Sequence, residues 1–131
     1  MHESRHVATA IAAPADAVYA FARDPRNLVR WAAGLARSQV TQVDGAWAVS
    51  SPLGEVTIAF TPPNDLGVLD HRVTLPGGES VDNPLRVIAN GEGCDVVFTV
   101  RRRDGMSEAD LEADAAAVAA DLETLRALCE S

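Results

Sequence analysis

The C-terminal quarter of the chain constrains the fold most, because it predicts one long helix with a single apolar face. Ser107 is a candidate N-cap, and Asp110 three residues later fits a capping box. An apolar stripe then recurs at spacings of four and three residues: Leu111, Ala115, Val118, Leu122 and Leu125. A helix of this kind cannot bury its stripe alone, so the rest of the chain must supply a surface that covers it.

The middle of the chain predicts that surface as an antiparallel sheet. Asp44 and Gly45 lie between two strand-like runs in SQVTQVDGAWAVSS, which is a strong signal for a two-residue hairpin. Alternating β-branched residues separated by turn residues predict four more strands: Val56–Thr61, Val68–Leu75, Ser80–Asn90 and Cys94–Arg102. Pro84 has no N–H to donate, so we expect an edge position or a bulge there.

The N-terminal segment predicts one strand and two short helices. Val7, Thr9 and Ile11 alternate on one face of a strand. Pro14 and Pro25 each fit the first position of a helix, where a missing N–H costs nothing. Two apolar stripes follow these prolines: Val18, Phe21 and Ala22, and then Leu28, Trp31, Ala32 and Leu35.

This order of elements predicts an α+β fold for residues 1–131 as a single domain. The expected architecture is a seven-stranded curved antiparallel sheet wrapped around the C-terminal helix, with the two short helices between strands 1 and 2. A sheet of that size curls, and a cavity remains wherever its curvature exceeds what one helix can fill.

The charge of the chain argues against nucleic acid as a partner. The formal net charge is −8, and phosphate contacts need a basic surface. Seven of the nineteen acids lie in residues 107–131, where a solvated helix face is expected. No apolar run is long enough to cross a bilayer, which predicts a cytoplasmic protein without integral membrane association. We expect a monomer or weak dimer.

Cysteine and histidine patterns predict neither a metal site nor a cofactor. Cys94 and Cys129 have no metal-ligand spacing and are expected to be free thiols. The three histidines, His2, His6 and His71, form no HxxxH or HExxH arrangement. The sequence also lacks a nucleophile elbow and a phosphate-binding glycine loop.

The sequence resembles the START-like helix-grip (SRPBCC) superfamily, in particular its polyketide cyclase/dehydrase and lipid-transport branch. Three segments carry the resemblance: IAAPADAVYAFARDPRNLVRW, DHRVTLPGGESVDNPLRVIANGEGCDVVFTV and ADAAAVAADLETLRAL. Together they cover nearly the whole chain. The resemblance implies a hydrophobic pocket between the long helix and the curved sheet, which in such proteins holds lipids, isoprenoids, polyketides or other apolar molecules.

Three functions remain open on this basis. The first is binding of a small hydrophobic or amphipathic molecule in the internal cavity. The second is a polyketide cyclase or dehydratase that uses the same cavity, with His71 as the general base. The third is a protein-interaction module in which the pocket has collapsed and the acidic helix face docks on a partner. Fold alone does not choose among them.

Candidate site residues follow from the face that each should occupy. His71 alternates with Leu69 and Val73 on the expected concave face, as a core or rim histidine or as a general acid or base. Asn83 faces the same way on the neighbouring strand, where it would help to polarise a ligand carbonyl. Trp31 and Trp47 are either core residues or ligand contacts. The predicted ligand-binding set is completed by Phe98, Val118 and Leu122.

Overall fold

A computed structural model describes residues 1–33, 39–43, 45–51 and 54–131 of the chain. Its helices are α1 (Ala15–Arg23), α2 (Pro25–Trp31) and α3 (Glu108–Glu130). Its strands are β1 (Ser4–Ile11), β2 (Gln39–Val43), β3 (Ala46–Ser51), β4 (Gly54–Phe60), β5 (His71–Thr74), β6 (Ser80–Asn83), β7 (Leu85–Asn90) and β8 (Gly93–Arg101). Leu35 and Asp44, which the sequence placed in a helix and a turn, lie outside the described residues.

The two short helices begin at the two prolines, although in different ways. Pro25 is the first residue of α2, as predicted, and the Asp24 side chain caps that helix by accepting a hydrogen bond from the Arg26 N–H at 3.0 Å. Pro14 lies one position earlier than expected, at the N-cap of α1, and offers no side-chain cap. The paired helices carry the chain from β1 to the strands that begin at β2.

The prediction of one seven-stranded sheet is wrong. Among the described residues the structure has eight antiparallel strands in two sheets. The three-stranded sheet has the order β1-β8-β7, and the five-stranded sheet has the order β2-β3-β4-β5-β6. The first strand does pair with β8 at a sheet edge, and β2 and β3 form the predicted hairpin, from the Val43–Ala46 pair outward.

Pro84 is the physical reason for the extra strand and the second sheet. It divides the run 80–90 into β6, which pairs with β5, and β7, which pairs with β8. A proline cannot donate to a ladder, so the chain changes partner there. The Pro84 carbonyl still accepts a hydrogen bond from the Thr99 N–H at 2.9 Å.

The run 68–75 changes partner at the same place. Its first residues approach β7, where the Leu69 N–H donates to the Leu85 carbonyl at 2.8 Å. The Val87 N–H donates to the Gly67 carbonyl at 2.9 Å. Gly67 has a φ of +72°, and a Cβ at this position would collide with the Val87 carbonyl oxygen. Only from His71 onward does this run pair with β4 and β6, so the two sheets meet at this junction.

Helix α3 covers the inner face, as its stripe predicted. Ser107 and Asp110 form a full capping box, and Leu111, Leu122 and Leu125 are buried. The acidic face is not simply solvated, however, because three of its glutamates bind β1 and the residue after it. Glu112 pairs with Arg5, Glu123 accepts from the Thr9 hydroxyl, and Glu130 accepts from the Ala12 N–H, each at 2.8 Å. No helix among the described residues is both long enough and apolar enough to span a membrane.

Candidate functional site

A cavity of about 230 Å³ lies between the end of α2, helix α3 and the strands β4, β5, β6 and β8. Most of its wall is apolar and includes Leu28, Val56, Ile58 and Val73. The alternation of β4 explains two of these, because Val56 and Ile58 are the buried residues of that strand. The cavity therefore lies where the curved sheet and the apolar stripe of α3 are not in contact. The sequence predicted a cavity at this place.

Five of the predicted site residues line this cavity: Trp31, His71, Asn83, Phe98 and Val118. They come from five different elements, and Val118 is the only one of them on α3. His71 and Asn83 are direct cross-strand partners, and Phe60 is the partner of His71 on the other side. Their roles in binding or catalysis stay predictions.

The structure does not bring Trp47 or Leu122 to the cavity. Leu122 is 1% exposed and belongs to the packed core, one turn further along the stripe than Val118. Trp47 borders a surface pocket beside the short helices, with Pro25 and Arg26. Helical spacing correctly placed Leu122 on the buried face of α3. It could not show that side chains pack around Leu122 and leave no cavity there.

His71 is held in one orientation by its neighbours. Its Nδ1 lies 2.9 Å from the Leu69 carbonyl oxygen, which only accepts, so Nδ1 carries the proton and Nε2 carries the lone pair. Its ring contacts Phe60 and Phe98, with centroid distances of 5.1 and 6.0 Å. Burial lowers the pKa of His71 below its ordinary value, against smaller opposing effects of the Leu69 carbonyl and Asp70.

Three polar groups on the cavity wall have hydrogen-bonding capacity that no described residue uses. The Trp31 side chain is 3% exposed, and its buried Nε1–H has no partner among the described residues. The Asn83 amide and the Nε2 of His71 likewise make no hydrogen bond within the described part of the chain. The Asn83 amide and the Nε2 of His71 belong to partly exposed residues and can pair with a ligand, whereas the Nε1 of Trp31 has no accessible surface toward the cavity.

Asp121 is a wall residue among the acids of residues 107–131, whose helix face was expected to be solvated. It lies three residues after Val118 on α3, and its Oδ1 accepts a hydrogen bond from the Ala33 N–H at 3.1 Å. Burial raises the pKa of this carboxyl, and the Ala33 N–H opposes that shift only in part. The sequence did contain a signal for this position, because a residue three positions after Val118 lies on the same face of the helix.

The charged side chains around His71 belong to the outer face. Arg72 pairs with Asp82 at 2.8 Å, and Arg86 pairs with Asp70 at 2.7 Å. Asp70 also accepts a hydrogen bond from the Leu85 N–H at 2.9 Å, which ties β5 to β7 at the sheet junction. These pairs are structural, and none of them lines the cavity.

Two surface grooves lie outside the cavity. One of about 510 Å³ runs along the outer side of β5 and β6 and is also bordered by His71 and Asn83, so this pair lies between the groove and the cavity. The other, of about 540 Å³, lies between α1 and β7 and contains the exposed side chains of Leu66 and Ile88. It contains none of the predicted site residues.

Comparison with solved structures supports the fold. DynU16, a protein of the dynemicin biosynthetic locus, matches 98% of this chain at 16% identity and a TM-score of 0.74, and the chain spans 47% of DynU16. CalU16 from Micromonospora echinospora matches 97% of the chain and 74% of its own length, at 17% identity and a TM-score of 0.68. Ara h 8.0201 matches 98% of both chains, at 9% identity and a TM-score of 0.73.

Comparison with protein families identifies the family of the chain. A search of curated proteins found no match to the chain. The family model described as "Polyketide cyclase / dehydrase and lipid transport" matches residues 3–130, which is nearly the whole sequence. With the antiparallel sheets, the C-terminal helix and the cavity between them, this match establishes that the chain belongs to the polyketide cyclase/dehydrase and lipid transport family.

Proposed function

We propose that this protein binds one small, mostly apolar molecule in the cavity between α3 and the sheets. The observation that carries the proposal is an apolar space of about 230 Å³ whose wall contains unpartnered polar groups. An engineered cavity of about 150 Å³ lined by apolar residues binds benzene, so this one suits a molecule of one or two rings. Ligand sites in proteins combine these two properties, an apolar wall and a few convergent polar groups.

The apolar and the polar residues of the wall contribute differently to binding. Burial of apolar ligand surface supplies the affinity, at about 25 cal/mol per Å² removed from water. Asn83 supplies a donor, and the Nε2 of His71 supplies an acceptor, so these groups orient a ligand that carries both a hydroxyl and a carbonyl. Two observations favour ligand binding over the third hypothesis, an interaction module with a collapsed pocket: a cavity remains, and three glutamates of α3 form hydrogen bonds within the chain.

The proposal is tested by a titration with 2-naphthol, followed by calorimetry. Wild-type protein is expected to bind one equivalent. Val118→Phe places a ring in the cavity, so it should weaken binding at least about tenfold, which corresponds to about 1.4 kcal/mol. Ala119→Phe adds the same ring at the next residue, which is exposed, and should bind like wild type. Equal binding by Val118→Phe and wild type, with both variants folded, would show that the cavity is not the site.

A second function is favoured by the geometry of His71. We infer that its Nε2 can act as a general base toward a carbon next to a ligand carbonyl, because Nδ1–H is held by the Leu69 carbonyl and burial favours the neutral ring. The proton would pass from carbon to Nε2 and leave an enolate, whose oxygen can accept a hydrogen bond from Asn83. This is the first step that a cyclase or dehydratase of this family would need.

Exchange of hydrogen for deuterium next to the carbonyl of 1-tetralone tests the second function without knowledge of the natural substrate. The imidazolium formed at His71 loses its proton to D₂O and returns a deuteron to the enolate, so the ketone gains deuterium that NMR detects. We expect exchange above the buffer rate with wild type and none with His71→Gln. The control is His6→Gln, whose ring is exposed on the outer face of β1. Loss of exchange in both variants, or in neither, would rule out His71 as the base.

A further inference from the structure

Among the described residues, the cavity wall contains one carboxylate and no fixed positive charge. Asp121 is the acidic residue of the described wall, and no arginine lines it. The chain contains no lysine at all, and its eleven basic residues are all arginine. The remaining ionisable wall residue is His71, whose burial favours the uncharged ring.

Asp121 has no cation to pair with among the described residues. Its carboxylate accepts one hydrogen bond, from the Ala33 N–H, and forms no ion pair in the described part of the chain. Its neighbour on the stripe, Val118, is apolar, and so are Trp31 and Ala32 across from it on the wall. The side chain is only partly exposed, so water compensates its charge incompletely.

This arrangement discriminates between ligands by charge. An anionic ligand would bring a second negative charge into an apolar space that already holds one, and no described wall residue supplies a guanidinium to compensate it. A ligand with an ammonium or hydroxyl group would instead donate a hydrogen bond to the second carboxylate oxygen of Asp121 or to the Nε2 of His71. Both atoms are acceptors that receive no hydrogen bond from the described residues. The Asn83 amide would still be available as a donor to a ligand oxygen.

We propose that the cavity selects neutral or cationic ring compounds that carry a hydrogen-bond donor, such as phenols, alcohols and amines, and rejects carboxylates and phosphates, including fatty acids. This inference rests on the proposed function, because it names the class of ligand for the same cavity. Asp121 is the residue that sets the preference, and its partner is the ligand donor.

Three naphthalene probes of similar size and different charge test the inference at neutral pH: 2-naphthol, 2-naphthylmethylammonium and 2-naphthoate. Wild-type protein should bind the first two at least about tenfold more tightly than 2-naphthoate. Asp121→Asn keeps the acceptor for Ala33 and removes the charge. It should strengthen binding of 2-naphthoate and weaken binding of the ammonium probe, each by about fivefold or more, which is about 1 kcal/mol.

The net charge of −8 repels anions from the whole molecule, so a matched control is needed. Asp114→Asn removes one exposed charge from the same helix and should leave all three affinities unchanged. Repeating the titrations at about 0.5 M salt screens the long-range field, and the preference should persist. Equal binding of all three probes, or equal effects of the two substitutions, would overturn the inference and leave the proposed function standing. Failure of all three probes to bind would overturn both.

Discussion

His71 and Asp121 share one cavity, and at both residues burial is the main influence on the pKa. Burial disfavours the charged form of each, so the pKa of His71 is lowered and that of Asp121 is raised. Neither shift is visible in the sequence, where His71 has aspartate and arginine as neighbours. Those neighbours point to the outer face, and the imidazole meets Phe60 and Phe98 instead.

The pH dependence of stability checks the state of His71. Its pKa is lower in the folded chain than the ordinary 6.5 of the unfolded chain. The unfolded state therefore binds more protons just below that value, and the free energy of unfolding must fall as pH decreases through this interval. Tm measured at about pH 7.5 and about pH 5.5 should show this fall, in a range above the titration of most carboxyls.

The variant His71→Phe isolates the contribution of the His71 imidazole to the pH dependence of stability. It keeps an aromatic ring between Phe60 and Phe98 and removes the titrating group, so the fall in Tm between the two pH values should become smaller. His2→Phe alters an exposed histidine near the N-terminus and should keep the wild-type slope. A slope in His71→Phe that equals the wild-type slope would mean that the imidazole is not desolvated.

At the scale of elements, helices were easier to predict than strand partners. The capping box at Ser107, the proline at the start of α2 and the stripe of α3 are local patterns, and the structure confirms all three. The run 80–90 reads as one strand because its alternation continues through Pro84. Its division into β6 and β7 depends on β5 and β8, which are distant in sequence.

The same limit applies to the acidic residues of α3. Periodicity identified the face that carries them, and that face was expected to be solvated. Thr9 and Ala12 bind two of these glutamates, and both lie more than a hundred residues away in the chain. A contact over such a separation leaves no signal in a single sequence.

At the scale of the molecule, helix α3 packs tightly against the sheets along most of its length and borders the cavity at one place. Leu111, Leu122 and Leu125 of α3 are fully packed, with exposures of 1% or less. Between them Val118 borders the cavity, where Trp31 of α2 and Phe98 of β8 form other parts of the wall. Five of the seven residues predicted to bind a ligand line the cavity, and their role in binding stays a prediction. Trp47 and Leu122 lie elsewhere, because where packing closes a space depends on the volumes of all the neighbours together.

A ligand in this cavity and a ligand in the groove between α1 and β7 would contact different methyl groups. Intermolecular NOEs between 2-naphthol and methyl groups of the protein distinguish the two directly. Occupation of the cavity predicts NOEs to the methyl groups of Ile58, Val73 and Val118. NOEs to Leu66 and Ile88, the exposed apolar residues of the groove, without any to Val118, would contradict the account.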